Sequence, residues 1–339
     1  MKSVWILDEG SQGHVVQSRG LVRELAKSID LQVIEIPARL VIRSGFVRSV
    51  AKRLLLRWHW NWLFRASHSV GTCPAGSPDL LVSSGPRSML ALEHLSETLG
   101  CPAVFVQGTV DVPEGMFTAV MRPFEGVRRK DFIFIPLLFT EITPDSVNAA
   151  RNSFLAEYPI RPKGPLNALL IGASSAKIRF SEDDWKGIAR MVNEFWKRDG
   201  RQWLITTSGR TGRELEDLLK NGIEPAAILD AVWYSQSPRK VTKAFLGLAD
   251  RIFVTMDSLT MLTEAVASGR PTCALCPASL TEDRSNTHLQ YALDLAAEGF
   301  ISRIRLGGVT ALPPLRPVPP QVDYSGAIRE LITRLQWNV

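Results

Sequence analysis

The stretch Phe253-Val-Thr-Met-Asp-Ser-Leu-Thr-Met-Leu-Thr-Glu-Ala-Val-Ala-Ser-Gly-Arg-Pro271 decides the fold class. Arg251 to Thr255 reads as a strand, Met256 to Ser258 as a tight polar turn and Leu259 to Ala267 as a helix, with Gly269-Arg-Pro271 opening the next strand. A strand that feeds a helix through Asp257 and Ser258 sets a hydroxyl and unsatisfied N–H groups at a helix N-terminus, where the macrodipole favours an anion such as phosphate. Glu264, almost two turns along, is placed to meet the hydroxyls of a sugar attached to that phosphate. The same residues also describe an ordinary capped βα unit.

Outward from this stretch the chain repeats the pattern of strand then helix. In the first half the strands are Val4 to Leu7, Leu31 to Ile36, Leu80 to Ser83 and Ala103 to Gln107, with Phe132 to Leu138 as a further apolar run. Helices are expected over Gln17 to Ser28 and Ser88 to Leu99. Thr140 to Pro165 carries four prolines and only a weak helical patch near Ala149 to Ala156, so it reads as an interdomain connection. The second half restarts the alternation: strands at Ala168 to Ile171, Trp203 to Thr206 and within Ala227 to Trp233, helices from Ser181 to about Arg198, Gly212 to Leu219, Val241 to Leu248 and His288 to Glu298, and a closing helix from Ser325 to Leu335. Ser181-Glu-Asp-Asp184 supplies an N-cap and an acidic first turn. Two such sets imply an α/β protein with two Rossmann-like domains facing across a cleft, and ligands at the carboxyl ends of the strands.

At 339 residues the chain has room for two cores. No run approaches the ~20 apolar residues that span a bilayer. The opening turns acidic at Asp8-Glu9 after one short strand, which argues against a signal peptide and for a cytoplasmic protein. Four cysteines are too few for a disulfide scaffold, and Cys273-Ala-Leu-Cys276 lies in an apolar strand-like run without a second pair or a nearby His, so buried thiols are expected. The net charge of +6 is uneven: residues 40–66 hold Arg43, Arg48, Lys52, Arg53, Arg57 and Arg65 with no acid, interleaved with Phe46, Trp58, Trp60, Trp62 and Phe64. Basic groups with interfacial aromatics suit an anionic membrane surface, and the expectation is a peripheral protein at the inner face of a membrane. Nucleic acid could use the same chemistry but is not the expected partner; a surface helix whose apolar side is core is the plainer alternative.

The strand ends carry the polar and glycine-rich residues. After the first strand comes Asp8-Glu-Gly-Ser-Gln-Gly-His14, with Gln17 in the following helix. It matches neither the dinucleotide fingerprint nor the P-loop. Asp8, Glu9 and His14 can each accept a proton from an attacking hydroxyl, and Glu9, His14 and Asp111, which follows the Val-Gln strand, are the candidate catalytic residues; polar residues lining a tight βα turn are the plainer alternative. Gly13, Gln17, Ser84 and Arg87 stand at neighbouring strand ends. In the second half Gly172-Ala-Ser-Ser175, Thr207-Ser-Gly-Arg210 and Asp257-Ser258 converge in the same way, a stronger phosphate signal than any one loop alone.

These residues carry a family resemblance. Trp5-Ile-Leu with Gly10, Gly13, Gln17 and Gly20-Leu21, then Pro78-Asp-Leu-Leu-Val-Ser-Ser-Gly with Arg87-Ser88, form the first part. Leu170-Ile-Gly172 with Arg179-Phe-Ser-Glu182, Thr206-Thr-Ser-Gly-Arg-Thr211, and Ala249-Asp-Arg-Ile-Phe-Val-Thr-Met-Asp-Ser258 with Met261, Glu264-Ala265 and Gly269-Arg-Pro271 form the second. The chain resembles, over roughly residues 1–300, the GT-B-type glycosyltransferase-like family of the plant elongated-mitochondria fission protein and its bacterial homologues. It departs from the family pattern in having Gly172-Ala-Ser-Ser where a Gly-Gly-Asp-Ser-like run is usual, and Gln107-Gly-Thr109 where an Asp-Pro pair often follows.

The resemblance implies an acceptor-binding domain over residues 1–145, a nucleotide-sugar donor domain over 146–320, and a closing helix in 321–339 placed to pack back on the first. It implies glycosyl transfer from a nucleotide-activated sugar to an acceptor hydroxyl on a lipid-linked or cell-envelope glycan. In that scheme Gly172, Ser174, Ser208, Arg210, Asp257 and Ser258 line the donor diphosphate and Glu264 meets the ribose or sugar hydroxyls, while Gly13, Gln17, Ser84 and Arg87 serve the acceptor side. No Asp-x-Asp occurs, and no Glu lies eight residues from Glu264, which points to an inverting, metal-independent reaction in which the nucleotide-sugar is substrate and no cofactor is needed. A non-catalytic membrane adaptor on the same frame and a sugar-nucleotide epimerase are the alternatives.

Overall fold

The computed structural model describes residues 1–41, 64, 66–106, 112–123, 129–158, 160, 162, 164–175, 178–283, 286–307 and 320–337. The chain divides into two compact units, Met1–Glu141 with Val322–Val339, and Ile142–Gln321. Most of the basic segment, residues 42–63 and 65, lies outside the described residues, as do Gln107 to Asp111.

The first unit is built on β1 (Lys2–Asp8), α1 (Gln12–Ala26), β2 (Leu31–Leu40), β3 (His68–Val70), β4 (Leu80–Ser83), α2 (Met89–Leu99), β5 (Ala103–Val106), β6 (Ala119–Arg122) and β7 (Phe132–Phe134). Its sheet runs β3-β2-β1-β4-β5-β6-β7, with β3 antiparallel to β2 and the other neighbours parallel. Every residue of β4 and β5 is buried, as short apolar strands covered on both faces require. The period of two along β1 assigns the faces: Val4 and Ile6 join Leu21, Leu25 and Val82 under the C-terminal helix Ser325–Arg334, while Trp5 and Leu7 join Leu81, Phe105 and Leu92 on the other side. The parallel register Val4↔Leu80 to Leu7↔Ser83 brings the carboxyl ends of β1 and β4 side by side. Because β2 lies on the opposite side of β1, this is where the strand order reverses.

The second unit holds α3 (Pro144–Glu157), β8 (Asn167–Ile171), α4 (Glu182–Asp199), β9 (Trp203–Thr207), α5 (Arg213–Gly222), β10 (Ile228–Val232), α6 (Thr242–Leu248), β11 (Arg251–Thr255), α7 (Leu259–Ala267), β12 (Thr272–Cys276), α8 (Thr287–Ala297) and β13 (Ile301–Arg305). Its sheet runs β10-β9-β8-β11-β12-β13 with the described pairs parallel, so the order reverses between β8 and β11. Ser181 and Asp184 cap α4 reciprocally, as their spacing predicts.

Three local expectations are corrected. The connection after Thr140 contains a full helix, α3, which starts at a reciprocal Thr143–Ser146 cap with Pro144 in its first turn and buries Phe154 edge-on against Phe245 of α6, centroids 5.8 Å apart. Helix α1 begins at Gln12, five residues before Gln17, so Gly13 and His14 stand on its first turn. The strands β6 and β13 were not expected, and β3 makes an antiparallel return to β2. Cys273 and Cys276 are buried on β12, and burial pushes the Cys276 thiol up to about 12. Among the described residues no helix is long and apolar enough to cross a membrane.

Candidate functional site

The reversal point of the first unit collects most of that unit's predicted residues. Glu9, immediately after β1, is 6% exposed. Its Oε2 accepts the backbone N–H groups of Arg87 at 2.8 Å and Ser88 at 3.1 Å. Ser88 is the N-cap of α2 and makes no side-chain cap bond of its own, so Glu9 supplies the negative charge at that helix start. Its Oε1 lies 2.5 Å from His14 Nδ1. A carboxylate only accepts, so Nδ1 is the donor in this contact, and in the neutral imidazole Nε2 is then the nitrogen that holds the lone pair. Both oxygens of Glu9 are thus occupied in orienting other groups. The proton acceptor this pair offers is His14, whose side chain is 27% exposed.

This contact depends on Gly85. Its φ is +101°, and a Cβ there would stand 2.4 Å from His14 Nδ1 and 2.6 Å from the Glu9 carboxyl. Beside the pair, Gln17 accepts a bond from the Ser84 hydroxyl at 3.4 Å and donates to the Gly13 carbonyl at 3.3 Å. The Arg87 side chain is exposed. Glu9, Gly13, His14, Gln17, Ser84 and Arg87 therefore meet at one place, while Asp111 lies outside the described residues. Asp8 turns onto the Gly10 N–H at 2.8 Å. Sequence reasoning passed over Arg39, at the carboxyl end of β2, whose Nε lies 3.5 Å from where a Cβ on Gly10 would be.

In the second unit the β8 and β11 ends meet through Asp257, whose side chain is fully buried. Its Oδ2 accepts the Ala173 N–H at 2.9 Å and lies 3.4 Å from the Arg210 guanidinium. Its Oδ1 is buried with no hydrogen-bond partner. Burial raises the Asp257 carboxyl above the usual carboxylate range, and the Ala173 N–H, the nearby Thr255 hydroxyl and Arg210 pull the other way. Gly172 packs directly on this group: a Cβ there would lie 2.6 Å from both carboxyl oxygens. The Gly172 N–H donates to Thr255 Oγ1 at 2.8 Å, and its carbonyl accepts the Ser208 hydroxyl at 3.3 Å and the Thr211 hydroxyl at 2.5 Å. Gly172, Ser208, Arg210 and Asp257 thus form one cluster.

The remaining predicted donor residues are differently engaged. The Ser174 hydroxyl accepts the Phe180 N–H at 2.9 Å and closes its own loop. Ser258 caps α7 by accepting the Met261 N–H at 3.4 Å. That leaves Leu259 and Thr260 at a helix start, where N–H groups have no intrahelical acceptor. Glu264 stands half-buried farther along α7, on the side that also carries Thr260 and Met261. Glu216, which sequence reasoning missed, is fully buried and accepts from Thr207 Oγ1 at 2.6 Å and the Ser235 N–H at 3.1 Å, tying the ends of β9 and β10. Its only sequence signal is an acid in the first turn of α5. Among the described residues no group of three or more His, Cys, Asp or Glu is arranged to hold a metal ion.

A family model described as Mitochondrial fission ELM1 matches residues 12–318. No curated protein sequence matches the chain. Among solved structures, the UDP-GlcNAc 2-epimerase of Methanocaldococcus jannaschii is 13% identical over 100% of both chains with a TM-score of 0.56. The same enzyme in complex with UDP-GlcNAc and UDP is 14% identical over 100% of both chains with a TM-score of 0.53. The ADP-heptose LPS heptosyltransferase II of Escherichia coli is 11% identical over 99% of each chain with a TM-score of 0.48. At such identity the likeness to the epimerase is one of fold: two Rossmann-like units of the GT-B type.

Proposed function

This chain belongs to the mitochondrial fission ELM1 family, and from its GT-B-type fold and the polar ends of its strands we propose that it is an enzyme acting on nucleotide-activated sugars, its reaction being glycosyl transfer to an acceptor hydroxyl. The observation that carries the reading is the oriented Glu9–His14 pair at the β1/β4 reversal. An imidazole held by a buried carboxylate, with its second nitrogen left basic, is the arrangement that removes a proton from a hydroxyl. His14 Nε2 takes the acceptor proton, the oxygen attacks the anomeric carbon, and the bond from that carbon to the diphosphate breaks with its electron pair leaving on the nucleotide. Attack opposite the leaving group inverts the anomeric centre.

The donor is proposed to lie on the second unit, Ile142–Gln321, with its diphosphate against Gly172, Ser174, Ser208, Arg210, Asp257 and Ser258 and its ribose or sugar hydroxyls at Glu264. Arg210 and the first N–H groups of α7 supply positive charge where the leaving diphosphate gains negative charge. The acceptor is proposed to lie on the first unit, near Gly13, Gln17, Ser84 and Arg87, with Asp111 as an additional carboxylate. Residues 40–66 favour a lipid-linked or envelope glycan presented at the inner face of an anionic membrane, by their charge and tryptophan content.

A second reading, sugar-nucleotide epimerisation, is favoured by the full-length fold likeness to an epimerase that binds UDP-GlcNAc and UDP. The two are separated by incubating the protein with a panel of nucleotide-sugars with and without a membrane extract as acceptor source. Transfer predicts nucleoside diphosphate release that needs the extract and is lost in His14→Ala. Formation of a new sugar-nucleotide without any acceptor supports the epimerase. A protein that neither consumes nor binds any member of the panel would be the adaptor.

A further inference from the structure

Asp257 is built in a way that donor binding alone does not explain. A carboxylate fully out of solvent beneath a proposed diphosphate site repels the ligand, and its Oδ1 is buried without a hydrogen-bond partner, a costly state for a charged oxygen. The groups that face it are few. They are the Ala173 N–H from the loop after β8, the Thr255 hydroxyl from β11, Arg210 from the loop after β9 as the one opposite charge acting on it, and the backbone N–H of Asp257 itself. The Arg210 contact is loose. It is a single 3.4 Å approach rather than a paired fork, and the Arg210 side chain is 56% exposed.

We infer that binding of a nucleoside diphosphate draws Arg210 from Asp257 onto the phosphates, and that Asp257 takes up one proton from solvent as it loses this partner. The inference rests on the donor-site reading above. A diphosphate offers Arg210 more charge and better geometry than one carboxyl oxygen at 3.4 Å. Left ionised, Asp257 would then be a buried charge beside a like charge, and both burial and repulsion favour the neutral acid. The neutral acid also gains an O–H, so Oδ1 changes from an oxygen without a partner into a donor toward a phosphate oxygen. The carboxyl already lies above its usual range before binding, which is the direction this exchange extends.

Linkage fixes the sign. Between the free-state and bound-state pKa values of Asp257, binding consumes a proton and Kd rises by up to ~tenfold per pH unit; outside that window its contribution is flat. Titration calorimetry with UDP, GDP, ADP, CDP and dTDP, from about pH 5.5 to about pH 8.5 in two buffers of different ionisation heat, reads the proton count directly. The nucleotide's own titration is common to all variants and cancels in the comparison. Wild type should take up close to one proton more than Asp257→Asn. Asp257→Asn should bind more tightly than wild type at the alkaline end, by roughly tenfold, with the two converging in acid. Arg210→Met should weaken binding throughout and reduce the extra proton uptake, because Asp257 loses its cation before the ligand arrives. Equal proton uptake and parallel pH curves for wild type and Asp257→Asn would overturn the exchange while leaving the donor site standing. Should Asp257→Asn fail to fold, unchanged proton uptake in Arg210→Met overturns it equally. No binding of any of these probes by wild type would overturn the donor-site reading and this inference together.

Discussion

The two sheets reverse their strand order at equivalent places, β1 beside β4 in the first unit and β8 beside β11 in the second, and each place holds a buried carboxyl group. Glu9 has both oxygens engaged: two N–H groups at the start of α2 on one side, the His14 ring on the other. Asp257 has one oxygen shared between an N–H and a loosely held arginine, and the other without a partner. In each case a glycine, Gly85 or Gly172, leaves room for the carboxyl where a Cβ would intrude. The difference shows how one topology can surround a buried carboxyl in two ways, which the proposed function assigns to two tasks. A carboxylate with every partner in place fixes a neighbouring base, whereas one with an exchangeable partner can respond to an arriving anion. Mutations at the first place should act on turnover, and those at the second on nucleotide affinity.

The largest expected effect is at the first place. His14→Ala should reduce turnover ~10²–10⁴-fold, the usual contribution of a general base, while leaving nucleoside diphosphate affinity unchanged. Nucleotide release in the presence of acceptor, set against calorimetric Kd, separates the two quantities. A comparable loss of affinity would mean that His14 belongs to the donor site and that the comparison is misdrawn.

Next in size is nucleotide binding at the second place. Charged-group hydrogen bonds are worth ~1.5–3 kcal/mol, so Arg210→Met and Glu264→Ala should each weaken binding by roughly tenfold to a hundredfold with little change in thermal stability. If Glu264→Ala binds normally but unfolds, that residue supports α7 rather than the ligand.

Gly85→Ala should cost about 1–3 kcal/mol from its positive φ alone, seen as a fall in Tm of a few degrees or more, and should also push His14 from Glu9. Turnover should fall further than the loss of folded protein explains.

The smallest effect is on stability against pH. The folded state raises the Asp257 carboxyl, so the folded protein holds this proton more tightly than the unfolded chain. This contribution to stability is therefore present in acid and is lost as pH rises through the folded-state value. Asp257→Asn should be more thermally stable than wild type at neutral pH and should lose part of the wild-type gain on acidification. A wild-type advantage that grows with pH would reverse the sign and make the charged form the favoured one.

Much of this architecture is legible in the sequence, for identifiable reasons. Leu80–Ser83, Asn167–Ile171 and Arg251–Thr255 are short apolar runs bounded by turn residues, and α4 and α7 announce themselves with Ser181 and Ser258 at their starts. Local signals failed where packing overrides them. Gly10 and Gly13 made the start of α1 look like loop, yet Val15, Leu21, Val22 and Leu25 bind the helix to the sheet. Helix α3 was hidden by prolines around it although Thr143, Pro144 and Ser146 carry its cap. At the sites, the residue types were visible and their partners were not. Glu9 meets Arg87 and Ser88, and Asp257 meets Ala173, only because strands distant in sequence lie side by side. No local pattern could show that the Glu9 carboxylate is consumed in holding His14, or that Asp257 is left one partner short.

The central claim, that the β8/β11 reversal is the nucleotide site, is tested most directly by a structure of the protein with the best binder from a thermal-shift panel of UDP, GDP, ADP, CDP and dTDP. The account predicts the diphosphate at the start of α7, with Arg210 turned away from Asp257 and its guanidinium ~3 Å from a phosphate oxygen. A nucleotide bound only on the first unit, or one bound on the second unit away from Gly172, Arg210 and Asp257, would contradict it.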